Sequence, residues 1–393
     1  MSYPIDRPPH ASGTAATASE IAPEIAEDFL RTMLEIPSES GNERAVAEYL
    51  RDRAHDLGLV SGIDGAGNFV AATSGDPFRT NPSVRDLVLL GHTDVVPGIV
   101  PVRREGDRLY GRGAVDAKGP LTAFVLAAAA ASLPADTRIV VIGAVEEEAA
   151  TSRGARAVVP RYSPAACVIG EPSGWDAVTI GYKGRAIVRY ERVKPSAHTA
   201  GPDPSPADEC VRWWGCVLSR LQEINPARAG AFDAVQATLR EIRTETDGLH
   251  NCVTATAGFR LPPGIEPGRI QDLCASHAGG ARVMMTGAET AVVADRRSAL
   301  VRAFTARIRA HNAKPSLLLK TGTSDMNVVG AAGAWPCPIL AYGPGDSSLD
   351  HTPDEHISVT EFHRSVRVLR GALEHFALDA GDSHPPGTEP NAY

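Results

Sequence analysis

The sequence predicts an α/β fold in which a mostly parallel sheet domain is interrupted by a smaller inserted α+β domain. Two observations carry this. First, three apolar runs (Leu87–Leu90, Arg138–Ala144 and Ala166–Gly170) lack the polar alternation of half-exposed strands, are separated by helical stretches, and each lead into an acid or an imidazole. Second, the texture changes from about Tyr182, where KGRAIVRYERV, DAVQATLREIRTET and NCVTATAGFRLPP alternate like antiparallel strands with one wet face.

The 393 residues suffice for two domains and a large buried core. With 43% apolar and 22% charged residues the composition is that of an ordinary soluble protein. A net charge of −8 gives no footprint for nucleic acid or an anionic membrane surface. No run approaches the roughly 18 apolar residues of a membrane span. The six cysteines are scattered without a CxxC pair, which argues against a cysteine zinc site or a disulfide framework and fits a reducing cytoplasm.

In chain order, residues 1–20 have no apolar signal-peptide core and read as a disordered lead-in. Residues 20–57 read as two helical pieces parted by Pro37–Asn42, with apolar residues at spacings of three and four. A short strand begins at Asn68, and Asp76–Arg85 is a surface loop. The strand Leu87–Leu90 delivers His92 and Asp94 at its carboxyl end, where open α/β sheets collect ligands. Gly-Arg-Gly-Ala-Val-Asp116 follows, then a helix over 120–133 with Pro120 in its first turn, where a missing N–H costs nothing. The strand from Arg138 runs into Glu146–Glu148, and the one from Ala166 into Glu171.

In the insert, helices near Ala207–Ile224 and Glu266–Ala278 give the order strand, helix, strand, strand, helix, strand. The expected boundaries are 21–179 and 292–378 for the sheet domain, 180–291 for the insert, and 379–393 for a polar, proline-rich disordered tail. There are no internal repeats.

His92, Asp116, the Glu146–Glu148 run, Glu171 and His351 are the acids and imidazoles at the strand ends and in the late Asp-His-Thr-Pro-Asp-Glu-His segment. Neutral imidazoles and carboxylates suit a borderline-soft divalent metal such as zinc. Asp94, two residues after His92, is placed to accept from the other ring nitrogen and fix the tautomer.

Five motifs in this order resemble the co-catalytic zinc hydrolases of amino-acid metabolism over roughly residues 25–376. That family includes acetylornithine deacetylase, succinyl-diaminopimelate desuccinylase, aminoacylase and carboxypeptidase G. The resemblance implies a zinc-exopeptidase-like catalytic domain with an inserted lid and dimerisation domain. It also implies two Zn2+ per subunit, with Co2+ or Mn2+ as alternatives. By position, His92 and Glu171 would hold one ion, Glu148 and His351 the other, and Asp116 would bridge them.

Two dications roughly 3.5–4 Å apart polarise a carbonyl and acidify a shared water, whose proton a free carboxylate removes. An ungapped alignment of the preceding strand makes Glu147 that base and Glu148 the ligand, and a one-residue shift would make the pair Glu146 and Glu147. His198, in Ser-Ala-His-Thr-Ala-Gly-Pro, matches the lid histidine that reaches the neighbouring subunit's site to stabilise an oxyanion. Asn251 and Arg260 match lid positions that bind the substrate's polar end, a task for which the guanidinium fork suits a carboxylate.

The stretches around Asp116, Glu147 and Glu171, together with Lys320-Thr-Gly-Thr-Ser-Asp-Met-Asn, resemble the LysK-type branch. Those enzymes release lysine or ornithine from an N-acyl group or from the C-terminal γ-glutamyl amide of an amino-group carrier protein. The implied assembly is a homodimer through the lid, with a carrier protein as substrate.

Each motif alone has a plainer reading. A lone His-x-Asp is more often structural, a glutamate run is usually a solvated helix start, and Asp116 could cap the next helix. Taken singly, His198 reads as a loop residue and Arg260 as a solvated strand charge. The remaining histidines, and Trp213 with Trp214, read as packing or surface residues. Two other functions compete: a plain small-molecule deacylase, and a catalytically silent binding member of the fold, which would lack a ligand or the base. The absence of a G-x-S-x-G elbow disfavours a serine hydrolase.

Overall fold

The computed structural model describes residues 21–198, 200–332 and 334–379. The expected lead-in, 1–20, and tail residues 380–393 lie outside them.

Two helices, α1 (Pro23–Glu35) and α2 (Arg44–Asp56), precede the hairpin β1 (Val60–Ile63) and β2 (Phe69–Ala72). Next come β3 (Arg85–His92), the short pair β4 (Arg103–Glu105) and β5 (Arg108–Tyr110), and α3 (Lys118–Ala130). β6 (Thr137–Ala144), α4 (Arg153–Val158), β7 (Ala166–Ile169) and β8 (Ala177–Tyr182) follow. A second sheet is built from β9 (Gly184–Pro195), α5 (Pro206–Ile224), β10 (Gln236–Thr246), β11 (His250–Leu261), α6 (Pro267–Ser276) and β12 (Arg282–Glu289). The chain returns through β13 (Val292–Val293), α7 (Ala299–Ala310), β14 (Ser316–Lys320), α8 (Asp325–Val329), β15 (Ile339–Ala341), β16 (His356–Ser358) and α9 (Val359–Asp379).

The large sheet is parallel at its centre, where β6, β3, β7 and β15 lie side by side. It is antiparallel at β1, β2 and β13, so the sheet as a whole is mixed. Both faces are covered. Leu87 and Leu89 of β3 enter one core with α1, α2, α3, α7 and α9, while Val88 and Leu90 enter the opposite core with α4 and α8. A strand buried on both faces has no reason to alternate, which explains the continuous apolar runs. Helix α3 is buried on nearly every side and carries no polar stripe. It starts at Lys118, two residues before the expected Pro120.

The second sheet is antiparallel, in the order β10-β11-β9-β12, with its own core from Ala186 to Ala278. Its strand and helix order is that of the expected α+β insert. Helix α5 begins with a Ser205–Asp208 capping box and buries Cys210, Trp213, Val217 and Leu221, one stripe at three- and four-residue spacing. Trp213 donates to the Cys274 carbonyl at 2.9 Å, so it packs.

The chain passes between the sheets twice, at Lys183 and at Thr290. One side chain ties the crossings together: the buried Asn327 amide donates to the Lys183 carbonyl at 3.1 Å and the Thr290 carbonyl at 2.7 Å. A Cβ at Gly184 would stand 2.4 Å from the Glu289 carbonyl oxygen, so only glycine allows the two crossings to run this close.

Candidate metal centre

β3, β6 and β7 point their carboxyl ends at one spot, as a parallel array must; His92 is the last residue of β3, and the segments leaving β6 and β7 carry Glu147, Glu148 and Glu171. Asp116 arrives from the turn before α3, joined to Ala117 by a cis peptide bond, and His351 from the loop before β16. Asp116 turns one oxygen to each imidazole. Its Oδ1 is 3.1 Å from His92 Nε2 and its Oδ2 is 3.0 Å from His351 Nε2. Glu148 Oε1 is 2.9 Å from His351 Nε2, and Glu171 Oε1 is 3.9 Å from His92 Nε2. Ligand atoms of His92, Glu147 and Glu171 gather within 4.8 Å of one another, as do those of His92, Asp116 and Glu148.

Asp94 organises the cluster from behind. Its backbone carbonyl lies 2.9 Å from His92 Nδ1, with its carboxylate Oδ1 at 3.4 Å, so the nearer partner is the main chain rather than the expected side chain. The carboxylate accepts the Glu147 and Glu148 N–H groups, both at 3.0 Å, and the Ser40 hydroxyl at 2.7 Å. Glu146 points away and holds Arg153 at 2.7 Å.

The electrostatics are dominated by acid. Burial disfavours a charged His92, but the Asp116 and Asp94 carboxylates outweigh it and hold the imidazole well above its ordinary range. Asp116 and Glu148 carry His351 up to about 10. Burial opposes ionisation of Asp116, yet His351 and His92 hold its pKa below the usual carboxylate range. Burial drives Glu147 well up, and burial followed by the Asp116 charge does the same for Glu171.

Asp116, Glu147, Glu148, Glu171 and His351 form one wall of a cavity of about 770 Å3. The other side carries Arg185, Arg240 and Arg260, and Arg260 donates to Thr323 Oγ1 at 2.8 Å. Burial first, then the Arg185 and Arg240 charges, lower the Arg260 pKa. The sequence reading did not single out Arg185, Arg240, Tyr182 or Asp350. Asp350 had a signal, lying directly before His351, whereas Arg185 and Arg240 look like ordinary strand charges. Also missed was Glu355, which accepts the Val115 and Asp116 N–H groups at 3.0 and 3.2 Å and Arg112 at 2.6 Å, seating the turn that presents Asp116.

Residues 88–375 match peptidase family M20/M25/M40. The chain belongs to that family. An M20 fold is also what solved structures share with it. A metallo-carboxypeptidase of the family from Sulfolobus solfataricus superposes with a TM-score of 0.72 at 17% identity, covering 90% of this chain and 99% of that one. A dinuclear metal-binding M20 peptidase from Bacillus subtilis gives 0.62 at 11%, covering 92% and 99%. A relative from Deinococcus radiodurans, described as a [LysW]-lysine hydrolase, is 43% identical over 358 residues, covering 88% of this chain and 96% of that protein.

The M20 donor set fits divalent ions on its own chemistry. Four carboxylates and two imidazoles converge, and among the described residues no Lys or Arg forms an ion pair with Asp116, Glu147, Glu148 or Glu171. The acids that burial drives toward their neutral forms are ones a dication would hold ionised.

Two expected site residues stand apart. His198 is exposed, its Nδ1 accepting the Ala200 N–H at 3.1 Å, and Asn251 lies 3.5 Å from Ser196 at the end of the second sheet. Neither lines the cavity of its own chain.

Proposed function

We propose that the protein hydrolyses the amide that joins a lysine- or ornithine-like amino acid to the amino-group carrier protein LysW, releasing the free amino acid. The carrying observation is that one cavity joins the acid–imidazole cluster to three arginines. An amide carbonyl can reach the cluster while a carboxylate of the substrate meets the guanidiniums. The relative named for this reaction, alike over nearly its whole length, supports the substrate.

In this reading His92 and Glu171 would hold one ion, Glu148 and His351 would hold a second, and Asp116 would serve both. The contacts from Asp116 to both imidazoles and from Glu148 to His351 support the division. Zinc is the proposed metal, and the ion pair supplies Lewis-acid polarisation of the carbonyl and acidification of water. Glu147, which is in the cluster but holds no imidazole, takes the proton of the attacking water and delivers it to the leaving amine nitrogen. Asp94 orients His92 and fixes the backbone of Glu147 and Glu148. Arg260 binds a substrate carboxylate.

The assembly in this reading is a homodimer, in which His198 and Asn251 complete the partner's cavity. Their distance from the cavity of their own chain supports it. Among the described residues no helix is long and apolar enough to cross a membrane. Six unpaired cysteines support a reducing, cytoplasmic setting.

The test is amine release by zinc-loaded protein from LysW-lysine, N2-acetyl-lysine, N2-acetyl-ornithine and succinyl-diaminopimelate, with a chelator control. Turnover of the carrier adduct with the small amides slow is expected. Fast turnover of a small amide with the adduct intact would make the protein a plain deacylase and overturn the carrier reading.

A further inference from the structure

A second concave region carries a charge opposite to that of the protein as a whole. In a chain of net charge −8, a groove of about 750 Å3 is lined by Arg296, Arg297, Arg302 and Arg309, with Val301 and Leu317 among the other lining residues. All four arginines are exposed. Arg302 donates to the Arg297 carbonyl, and none of the four has an ion-pair partner among the described residues. The nearby Asp295 carboxylate already accepts the Arg297 N–H at 2.8 Å. Four uncompensated guanidiniums on one groove repel each other and attract anions.

β14 leads from this groove to the metal centre. Pro315 and Leu317 line the groove, and Leu319, Lys320 and Thr323 line the catalytic cavity. β14 is also the outermost strand of the large sheet. Gly181 and Tyr182 of β8 pair with β13 on one side and with β14 on the other, and β14 pairs with no further strand among the described residues. Its outer row of N–H and C=O groups is a template for an extended chain, and Leu319, 47% exposed, offers an apolar contact beside it. The five residues of β14 span about 16 Å. A free amino acid cannot touch both ends of such a strand, whereas a polypeptide can.

We propose that the arginine groove and the free edge of β14 form a docking track for an acidic polypeptide substrate. Acidic side chains of the carrier rest on Arg296, Arg297, Arg302 and Arg309. Its extended end pairs along β14 and carries the amide to the acid–imidazole cluster. This rests on the carrier-protein reading above and adds to it where the carrier sits and what chemistry holds it. Charge complementarity selects an acidic partner, and the strand edge selects an extended polypeptide over a small anion.

The test compares wild-type protein with Arg296→Glu/Arg302→Glu, and with Arg296→Lys/Arg302→Lys, which keeps the charge. Each is assayed on LysW-lysine and on the small amide γ-glutamyl-lysine, at low and high salt. The Glu variant is expected to raise KM for LysW-lysine by about 10- to 100-fold with kcat unchanged, to leave the small amide unaffected, and to lose the salt dependence of the wild type. The Lys variant is expected to restore most of the loss. If the wild type turns over LysW-lysine and the Glu variant matches it in KM, the track falls and the carrier reading stands. If the wild type cleaves γ-glutamyl-lysine but leaves LysW-lysine intact, the carrier reading fails and takes the track with it. Equal losses on both substrates would mark a general structural effect and overturn the track.

Discussion

His351 Nε2 stands 3.0 Å from Asp116 Oδ2, closing the acid cluster from the side opposite His92. One carboxylate therefore serves two imidazoles that come from distant parts of the chain. If Asp116 serves two ions as proposed, Asp116→Ala should lower the binding of both. Metal analysis that finds one ion still bound at full affinity would argue against the bridge.

Removing metal should abolish turnover, and zinc, cobalt or manganese should restore it, because an N/O ligand set accepts all three. Metal at a hundredfold excess over Kd should also stabilise the fold by about 3 kcal/mol. The check is amine release alongside thermal melting of stripped and reloaded protein. Full activity after exhaustive chelation would sink the metal centre.

Glu147→Gln keeps the shape of the side chain but cannot accept a proton. Turnover should fall by about 10²- to 10⁴-fold while two metals remain bound. Near-normal kcat in this variant would move the base elsewhere in the cluster.

In the proposed homodimer, the His198→Ala and Glu147→Gln proteins should each be nearly inactive. Mixed dimers should regain activity, because one of their two sites has both residues intact. Mixing followed by an activity assay decides this, and no rescue would mean that sites are not shared between subunits.

Asn327→Leu removes a donor that serves both crossing carbonyls, Lys183 and Thr290. Each buried carbonyl left without a partner costs about 1–3 kcal/mol. A clear drop in the denaturant midpoint is expected, and an unchanged midpoint would show that the clamp contributes nothing to stability.

Asp325 is buried, neither of its carboxylate oxygens has a hydrogen-bond partner among the described residues, and burial lifts its pKa to about 7 from an ordinary 3.8. Between those values the folded state holds more protons than the unfolded one, so its contribution to stability declines as pH rises and is fully lost above about 7. In metal-free protein, Asp325→Asn should therefore be more stable than wild type at about pH 8 and gain little at about pH 4. Denaturant midpoints at both values measure this, and an equal gain at both would show that charge is not the cause.

By itself the sequence determined the alternation of buried strands and helices, the interruption by an antiparallel insert, and the residues of the acid–imidazole cluster. The reason is local. A strand buried on both faces must be apolar throughout, and the side chains that follow its carboxyl end necessarily gather at one edge of a parallel array. Tertiary structure decided what depends on distant segments meeting. Glu146, Glu147 and Glu148 are identical in composition, and the Asp94 contacts to two backbone N–H groups, the His351 contact to Glu148 and the Arg153 contact to Glu146 tell them apart. Arg185, Arg240 and Arg260 become one cationic wall only because the second sheet folds over the first, and charges on exposed-looking strands carry no sequence mark of that. The same holds for Asn327, whose amide meets two crossings separated by more than a hundred residues of chain.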